Sequence, residues 1–245
     1  MHVARRFRKT VRRGLQRSLI YLADHFNYYL VRGHVHPENR LDHRRLISGD
    51  WFTCVDLVRN ATVETLSREI YRNKIEGAVA EVGVYQGEFA ALIHHYFNDR
   101  VLYLFDTFEG FDRRDAALDK EKHYSPAMWD FSDTSPELVL SKMKDKSKVQ
   151  IKKGYFPASA KGCEEERFCF VSLDADLYEP TYAGLCWFYP RLVDGGYIMV
   201  HDYESHGYKG VREAVDAFAR TTSISYIVLP DMAGSLIVGK PLRRD

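Results

Sequence analysis

The 245-residue sequence lacks several patterns that define common protein classes. Its four cysteines show no CxxC or other metal-ligand spacing, which excludes a zinc-finger type of site and favours a reducing compartment. We expect Cys169 and Cys186, which lie in apolar stretches, to be small core residues. No run approaches the roughly 18 consecutive apolar residues of a membrane-spanning helix. The basic N-terminus is not followed by a small-residue cleavage site, so we predict a cytoplasmic protein without a signal peptide.

The net charge of +1 conceals an uneven distribution of charge along the chain. Residues 1–32 contain eight Lys or Arg residues and one acid, Asp24, so the rest of the chain is acidic. In this basic segment, apolar residues recur every three or four positions, as on one face of an amphipathic helix: Leu15, Leu19, Leu22, Phe26 and Tyr29. We interpret residues 1–50 as a helical arm with a connector.

The arm has two candidate partners. The first interpretation is packing on the body or on a second copy of the chain, which predicts a homo-oligomer. The alternative is a peripheral contact with an anionic membrane surface. No aromatic-basic pattern continues into the body, so nucleic-acid binding is not predicted.

Strand-like and helix-like patterns alternate in residues 51–245. We predict a first helix at 51–76, with an apolar side formed by Leu57, Ala61, Leu66, Ile70 and Tyr71. Strands are predicted at 78–85, 101–108, 149–156, 168–176 and 196–203, helices at 88–97, 179–192 and 209–220, and a terminal hairpin around DMAG. This α/β pattern indicates a Rossmann-like, doubly wound and mostly parallel sheet of seven strands with an antiparallel C-terminal hairpin.

A polar insert, residues 109–148, interrupts the alternation. Within it, Asp133 or Ser135 is placed to cap a helix that begins near Pro136. A long insert at the edge of such a sheet where ligands bind is typical of a substrate lid, and we predict that role for residues 109–148.

Charged side chains follow two of the predicted strands. Asp174 and Asp176 come after an apolar run at 170–173, and His201 and Asp202 follow another at 197–200. Ligands of open α/β sheets bind beyond the carboxyl ends of the strands. Because uncompensated charge there is costly, we predict a bound cation. In an ideal strand Asp174 and Asp176 share one face, so both are expected to point into the site.

The first predicted strand ends in a glycine motif, EVGVYQGE, at residues 81–88. Gly83 is expected to permit a close approach of ligand to backbone, and Gly87 to open the next helix. The motif lacks the middle glycine of GxGxxG, which favours a cofactor without a pyrophosphate over NAD or FAD. Asp106, at the end of the second strand, is placed to accept hydrogen bonds from ribose hydroxyls. Together these features indicate an adenosine-type cofactor.

In order and spacing, the segments ExGVYQGE, LFDTFEGF, SLDADLYEPT, LVDGGYIMVHDY and GVREAVDAF resemble the macrocin O-methyltransferase family. The resemblance covers residues from about 50 to 240, with the basic arm outside it. It implies a metal-dependent enzyme that transfers a methyl group from S-adenosylmethionine to a hydroxyl of a sugar or glycan.

The resemblance also implies roles for individual residues. The cofactor's methionine side would be lined by Glu81, Gly83 and Tyr85, its ribose held by Asp106 beside Phe108, and its adenine approached by Ser132 and Asp133. Asp176 would be the general base, and the metal ligands would be Asp174, His201 and Asp202. His201 stands where the family has another Asp; Mg²⁺ is still implied, but Mn²⁺ becomes an alternative. Whether His201 binds the metal or only hydrogen-bonds to its ligands stays open.

Methyl transfer to a hydroxyl requires that the hydroxyl lose its proton. With water's pKa of about 15.7 as a proxy for the hydroxyl and about 3.9 for Asp, deprotonation before transfer would cost on the order of 16 kcal/mol. An unaided carboxylate cannot meet that cost, whereas a metal lowers the hydroxyl pKa and Asp176 then accepts the proton. One rival function is a glycosyltransferase that uses Asp174-Ala175-Asp176 as a DxD motif, and another is a non-catalytic scaffold.

Overall fold

The computed structural model describes residues 56–243, so the predicted N-terminal arm, its connector and Cys54 lie outside the described residues. The first helix, α1 (Leu57–Arg72), begins at Asp56, whose carboxylate accepts hydrogen bonds from the N–H groups of Val58 and Arg59. A carboxylate at this position satisfies donors that the helix itself leaves unpaired.

Of the apolar side predicted for α1, Ile70 is fully buried and Leu66 is half-buried, and the side chain of Leu57 lies outside the described part of the structure. Ala61 and Tyr71 are exposed, and the buried face includes Arg59 and Glu64. Periodicity of apolar residues misses this face because its charged side chains are paired with opposite charges: Arg59 with Asp174, and Glu64 with Arg68.

Seven strands form one sheet, and the predicted fold class is confirmed. The strands are β1 (Ala78–Val82), β2 (Leu102–Asp106), β3 (Val149–Lys153), β4 (Phe168–Leu173), β5 (Leu192–Val200), β6 (Tyr226–Val228) and β7 (Leu236–Gly239). Their order is β3-β2-β1-β4-β5-β7-β6, with β1 to β5 parallel and β7 antiparallel to both β5 and β6. The last two strands are the predicted hairpin.

The helices alternate with the strands as predicted: α2 (Glu88–Tyr96), α5 (Tyr178–Phe188) and α6 (Lys209–Thr222). The insert adds α3 (Arg113–Glu121), which was not predicted, and α4 (Pro136–Ser141). Ser135 caps α4 as expected, because its hydroxyl accepts a hydrogen bond from the Leu138 N–H at 3.1 Å. None of the helices between residues 56 and 243 has the length and apolar character needed to cross a bilayer.

Helix α5 packs against the sheet through aromatic rings. Phe188 of α5 stacks on Phe156 at 5.7 Å between ring centroids and meets Phe168 edge-on at 5.0 Å. Every residue of β4 is buried, as expected for a central parallel strand. Cys169 of β4 is a core residue as predicted, whereas the prediction for Cys186 is wrong: it lies on the exposed side of α5.

The register of the sheet aligns the ends of its central strands. Val82 pairs with Leu173, which pairs with Val200, so the residues that follow these three strands emerge side by side. The His201 N–H donates to the Leu173 carbonyl at 2.9 Å, and the Asp174 N–H donates to the Val82 carbonyl at 2.9 Å. The last rungs of the ladder therefore hold Asp174 and His201 next to each other.

Candidate active site

A cavity of about 320 Å³ lies at the carboxyl edge of the sheet. Segments that follow β1 to β5 contribute to its wall, together with residues of the insert. The lining includes Glu81, Gly83, Tyr85, Asp106, Phe111, Asp112, Asp115, Phe131, Tyr155, Phe156, Asp174, Asp176, His201 and Asp202. This is the edge where ligands of doubly wound sheets bind.

Asp174, His201 and Asp202 converge on one point of this cavity. One ligand atom from each lies within 4.8 Å of the others. His201 Nδ1 is 3.1 Å from Asp174 Oδ1 and 2.8 Å from Asp202 Oδ2. Donor atoms on neighbouring positions of an octahedral ion, each about 2.1 Å from it, are about 3 Å apart. The oxygen and nitrogen donors therefore fit a divalent cation.

Arg59 of α1 also reaches this cluster, and sequence reasoning missed it. Its Nη2 lies 2.7 Å from Asp174 Oδ2, and its guanidinium group lies 3.6 Å from the centre of the Phe89 ring. Only 8% of Arg59 is exposed. In the sequence, Arg59 is only an arginine near the start of a predicted amphipathic helix. That pattern is too common to indicate a role in the site.

The cluster balances its charges internally. Burial lowers the pKa of His201, but the charge of Asp174 and hydrogen bonds to both carboxylates outweigh it and raise this pKa to about 10. Burial raises the pKa of Asp174, but Arg59 and His201 overcome this and hold it well below its usual range. Protonated His201 thus faces both carboxylates, and Arg59 faces that of Asp174. A cation bound by His201 would take the place of the imidazole proton.

Asp176 lines the same cavity but does not lie on β4. The strand was predicted to run to residue 176 and ends at Leu173, so the shared strand face predicted for Asp174 and Asp176 is wrong. Asp176 instead has a left-handed backbone with φ +62°. Burial, together with the charges of Asp174 and Asp202, raises its pKa well above the usual value.

Left-handed residues other than glycine recur at the strand ends around the cavity. Tyr85, Phe108, Asp176 and Asp202 have φ values of +48°, +54°, +62° and +59° and follow β1, β2, β4 and β5 respectively. Such conformations cost about 1–3 kcal/mol each and cluster at functional sites. Three of these residues, Tyr85, Asp176 and Asp202, line the cavity.

Glu81 is a buried acid near the end of β1. Glu81 is 1% exposed, and its Oε2 has no hydrogen-bond partner among the described residues. Burial and the charge of Asp174 raise its pKa well above the usual value. A buried acceptor facing a cavity fits a ligand that brings a donor.

Gly83 was expected to make room for a ligand, and its backbone makes room for another strand end. A Cβ at this position would lie 1.9 Å from the Asp174 carbonyl oxygen, and its φ is +79°. Gly87 opens α2 as predicted, with φ +86° and close contact to Val139 of the insert. Both glycines therefore allow close packing within the protein, and the approach of a ligand to Gly83, which lines the cavity, stays a prediction.

Asp106 organises the loop after β1. Its Oδ2 accepts hydrogen bonds from the N–H groups of Val84 at 2.6 Å and Tyr85 at 3.0 Å, and its Oδ1 accepts from Phe108 N–H at 2.7 Å. The carboxylate still lines the cavity, and of its roughly four acceptor sites one, on Oδ1, remains for a ligand.

Three residues expected at the cofactor lie outside the cavity lining. Phe108 is buried, and Ser132 and Asp133 are exposed on the insert. Asp133 Oδ2 accepts hydrogen bonds from the Tyr85 hydroxyl at 3.1 Å and from Gln86 Nε2 at 2.9 Å. These bonds attach the insert to the loop after β1.

Asp119 of the insert caps α5. Its Oδ1 accepts a hydrogen bond from the Tyr178 N–H at 3.1 Å, where α5 has no capping side chain of its own. The side chain is fully buried, and its Oδ2 has no partner in the described part of the chain. Burial raises the pKa of Asp119 from 3.8 to about 6.

We expect Asp119→Asn to gain stability relative to the wild type as the pH rises. A raised pKa in the folded state means that stability is complete below the unfolded pKa and is lost as the pH rises through about 6. Asn keeps the capping oxygen and cannot ionise. Its free energy of unfolding, measured in urea, should rise relative to wild type by on the order of 1–3 kcal/mol between about pH 5 and about pH 7.5. An equal difference at both pH values would contradict this.

The fold and its site define a class of protein. The strand order with its antiparallel seventh strand, and a ligand cavity at the carboxyl edge, are those of class I methyltransferases. The sequence matches the macrocin-O-methyltransferase family over residues 14–230, so the chain belongs to that family and is an O-methyltransferase. The match corrects one expectation, because it begins inside the basic segment that was placed outside the shared region.

Two curated relatives share this class. The chain is 27% identical over 175 residues to 8-demethyl-8-(2,3-dimethoxy-alpha-L-rhamnosyl)-tetracenomycin-C 4'-O-methyltransferase of Streptomyces olivaceus, covering 65% of the chain and 67% of the relative. It is 24% identical over 169 residues to demethyldecarbamoylnovobiocin O-methyltransferase of Streptomyces niveus, covering 63% and 64%. The alignments thus span about two thirds of each relative.

Solved structures show the same fold. The O-methyltransferase NovP superposes with a TM-score of 0.62 at 21% identity, covering 76% of this chain and 80% of NovP. The calicheamicin methyltransferase CalS11 gives 0.61 at 18% identity, covering 85% and 87%. These findings do not favour the glycosyltransferase alternative.

Proposed function

We propose that this protein transfers a methyl group from S-adenosylmethionine to a hydroxyl of a sugar or glycan, with the help of a divalent cation. The observation that carries the proposal is the convergence of Asp174, His201 and Asp202 within 4.8 Å in the cavity of a methyltransferase fold. The sugar acceptor is supported by the names of the relatives, one of which includes a rhamnosyl group in the substrate.

The cofactor is proposed to lie along the strand ends. Its methionine ammonium satisfies the unpartnered Oε2 of Glu81, and the loop with Gly83 and Tyr85 encloses the same end. The remaining acceptor site of Asp106 accepts a hydrogen bond from a ribose hydroxyl, with Phe108 beside it. Ser132 and Asp133 remain proposed neighbours of the adenine, since Asp133 is bonded to Tyr85 at the cavity rim.

Asp174, His201 and Asp202 are proposed to hold the cation. When bound, the cation lowers the pKa of the acceptor hydroxyl. Arg59 occupies Oδ2 of Asp174 and leaves Oδ1 facing His201, so the carboxylate offers a single oxygen to the cluster. The nitrogen donor makes Mn²⁺ an alternative to Mg²⁺.

Asp176 is proposed to accept the hydroxyl proton while the methyl group moves. Its high pKa, set by burial between Asp174 and Asp202, makes it a stronger base than an ordinary carboxylate. The insert is proposed to cover the cavity during the reaction. A cytoplasmic location, and self-association or membrane contact through the basic N-terminal arm, stay predictions.

Thermal unfolding with ligands tests the cofactor. S-adenosylhomocysteine should stabilise the protein, by about 2.7 kcal/mol at a concentration one hundred times its dissociation constant. UDP or GDP with Mn²⁺ should not. Stabilisation by the nucleotides alone would instead support the glycosyltransferase.

The same preparation serves for an acceptor screen. Sugar acceptors are incubated with labelled methyl donor, with and without a chelator, and transfer is expected only without chelator. Transfer that persists after complete removal of metal would contradict the role of the cation and leave the methyl transfer itself intact.

A further inference from the structure

The lining of the cavity contains a buried carboxylate that the proposed chemistry does not use. Asp115 of α3 is 4% exposed and lines the cavity. Its Oδ1 accepts a hydrogen bond from the Tyr155 hydroxyl at 3.1 Å, and within residues 56–243 no other donor reaches this carboxylate. Aromatic rings of Phe111, Phe131 and Phe156 line the same cavity.

The strand order indicates which part of the cofactor would lie near Asp115. Asp174 and His201 follow β4 and β5, Glu81 lies on β1, Asp106 ends β2, and Tyr155 follows β3. If the methyl group moves at the β4–β5 end and the ribose lies at Asp106, the part of the cofactor beyond the ribose extends toward β3. That part is a purine with an exocyclic amino group.

We infer that Asp115, oriented by Tyr155, accepts a hydrogen bond from the 6-amino group of the cofactor's adenine and makes the site selective for that base. This inference rests on the proposed function. An ionised carboxylate offers only acceptors, so it pairs with an amino group and gains nothing from a purine without one. Sites built around a buried polar group discriminate strongly against analogues that leave it unpaired.

Asp115 lies outside the five sequence segments that carry the family resemblance, on a helix of the insert. The insert would therefore supply part of the cofactor site. Burial raises the pKa of Asp115 to about 6, and at about pH 8 the side chain is ionised. Binding is best measured there.

The test compares two ligands by isothermal titration calorimetry on the full chain: S-adenosylhomocysteine, and its analogue with hydrogen in place of the 6-amino group. The wild type should bind the analogue about tenfold or more weakly. Asp115→Leu, similar in size and without acceptors, should bring the ratio of the two dissociation constants close to one. Asp119→Asn, one turn further along the same helix and outside the cavity lining, should leave the ratio unchanged.

Each outcome decides the inference. A ratio near one in the wild type, or an unchanged ratio in Asp115→Leu, overturns it while the methyltransferase proposal stands. If the wild type does not bind S-adenosylhomocysteine, the proposed function fails and the inference falls with it. Should Asp115→Leu not fold, Tyr155→Phe removes only the orienting hydroxyl and is expected to lower the ratio by roughly threefold; no change in that variant also overturns it.

Discussion

Asp176→Asn is expected to lower the turnover number for methyl transfer by about two to four orders of magnitude, the usual contribution of a general base. Asn has nearly the same shape and cannot accept the hydroxyl proton. Binding of S-adenosylhomocysteine should be unchanged, because Asp176 is not among the residues proposed to hold the cofactor. The measurement is single-turnover transfer of a labelled methyl group, with calorimetry for cofactor binding.

Stability separates this effect from misfolding. Burial, together with the charges of Asp174 and Asp202, raises the pKa of Asp176, so replacing it with a neutral amide should not reduce the free energy of unfolding. Turnover within a factor of about three of wild type in a folded Asp176→Asn variant would remove Asp176 as the base.

Asp174→Ala is expected to abolish cation binding and also to destabilise the fold by about 3–5 kcal/mol. The second effect follows from Arg59, which is buried and has its charged partner in Asp174 at 2.7 Å. Removing one member of a buried pair leaves the other charge uncompensated. Loss of activity in Asp174→Ala alone would therefore not identify a metal ligand.

A double variant resolves the two effects. Arg59→Met with Asp174→Leu replaces the pair by apolar side chains and should recover most of the unfolding free energy. The double variant should still fail to bind Mn²⁺. Binding of Mn²⁺ is measured by electron paramagnetic resonance. Arg59→Met alone keeps the three proposed ligands, so it should retain Mn²⁺ binding. Recovery of Mn²⁺ binding in the double variant would exclude Asp174 as a ligand, and wild-type stability of Asp174→Ala would contradict the importance of the ion pair.

The secondary structure around the site was largely predictable from local sequence. Continuous apolar runs such as 170–173 belong to strands buried on both faces, and Ser135 before Pro136 is a strong helix start. Since parallel strands end at one edge, the meeting of Asp174 with His201 and Asp202 also followed from the pattern. Strand ends were less accurate, because the left-handed turns at Tyr85 and Asp176 have no clear sequence signal.

Contacts between distant segments were not predictable. Arg59 and Asp174 are 115 positions apart, and Asp119 and Tyr178 are 59 apart. In sequence, Arg59 looks like an ordinary surface arginine and Asp119 like a solvent-facing acid of the polar insert. Both are buried because another element supplies a partner, which local periodicity does not encode.

By itself the sequence determined the order of strands and helices, the class of sheet and the acids and imidazole at its ligand edge, because these depend on short-range hydrophobic patterning. Only the tertiary structure decided which charges neutralise one another, why Gly83 is needed, and that the insert brings Asp115 into the cavity. These depend on pairing across the fold, where burial makes an unmatched charge or a misplaced methyl group costly.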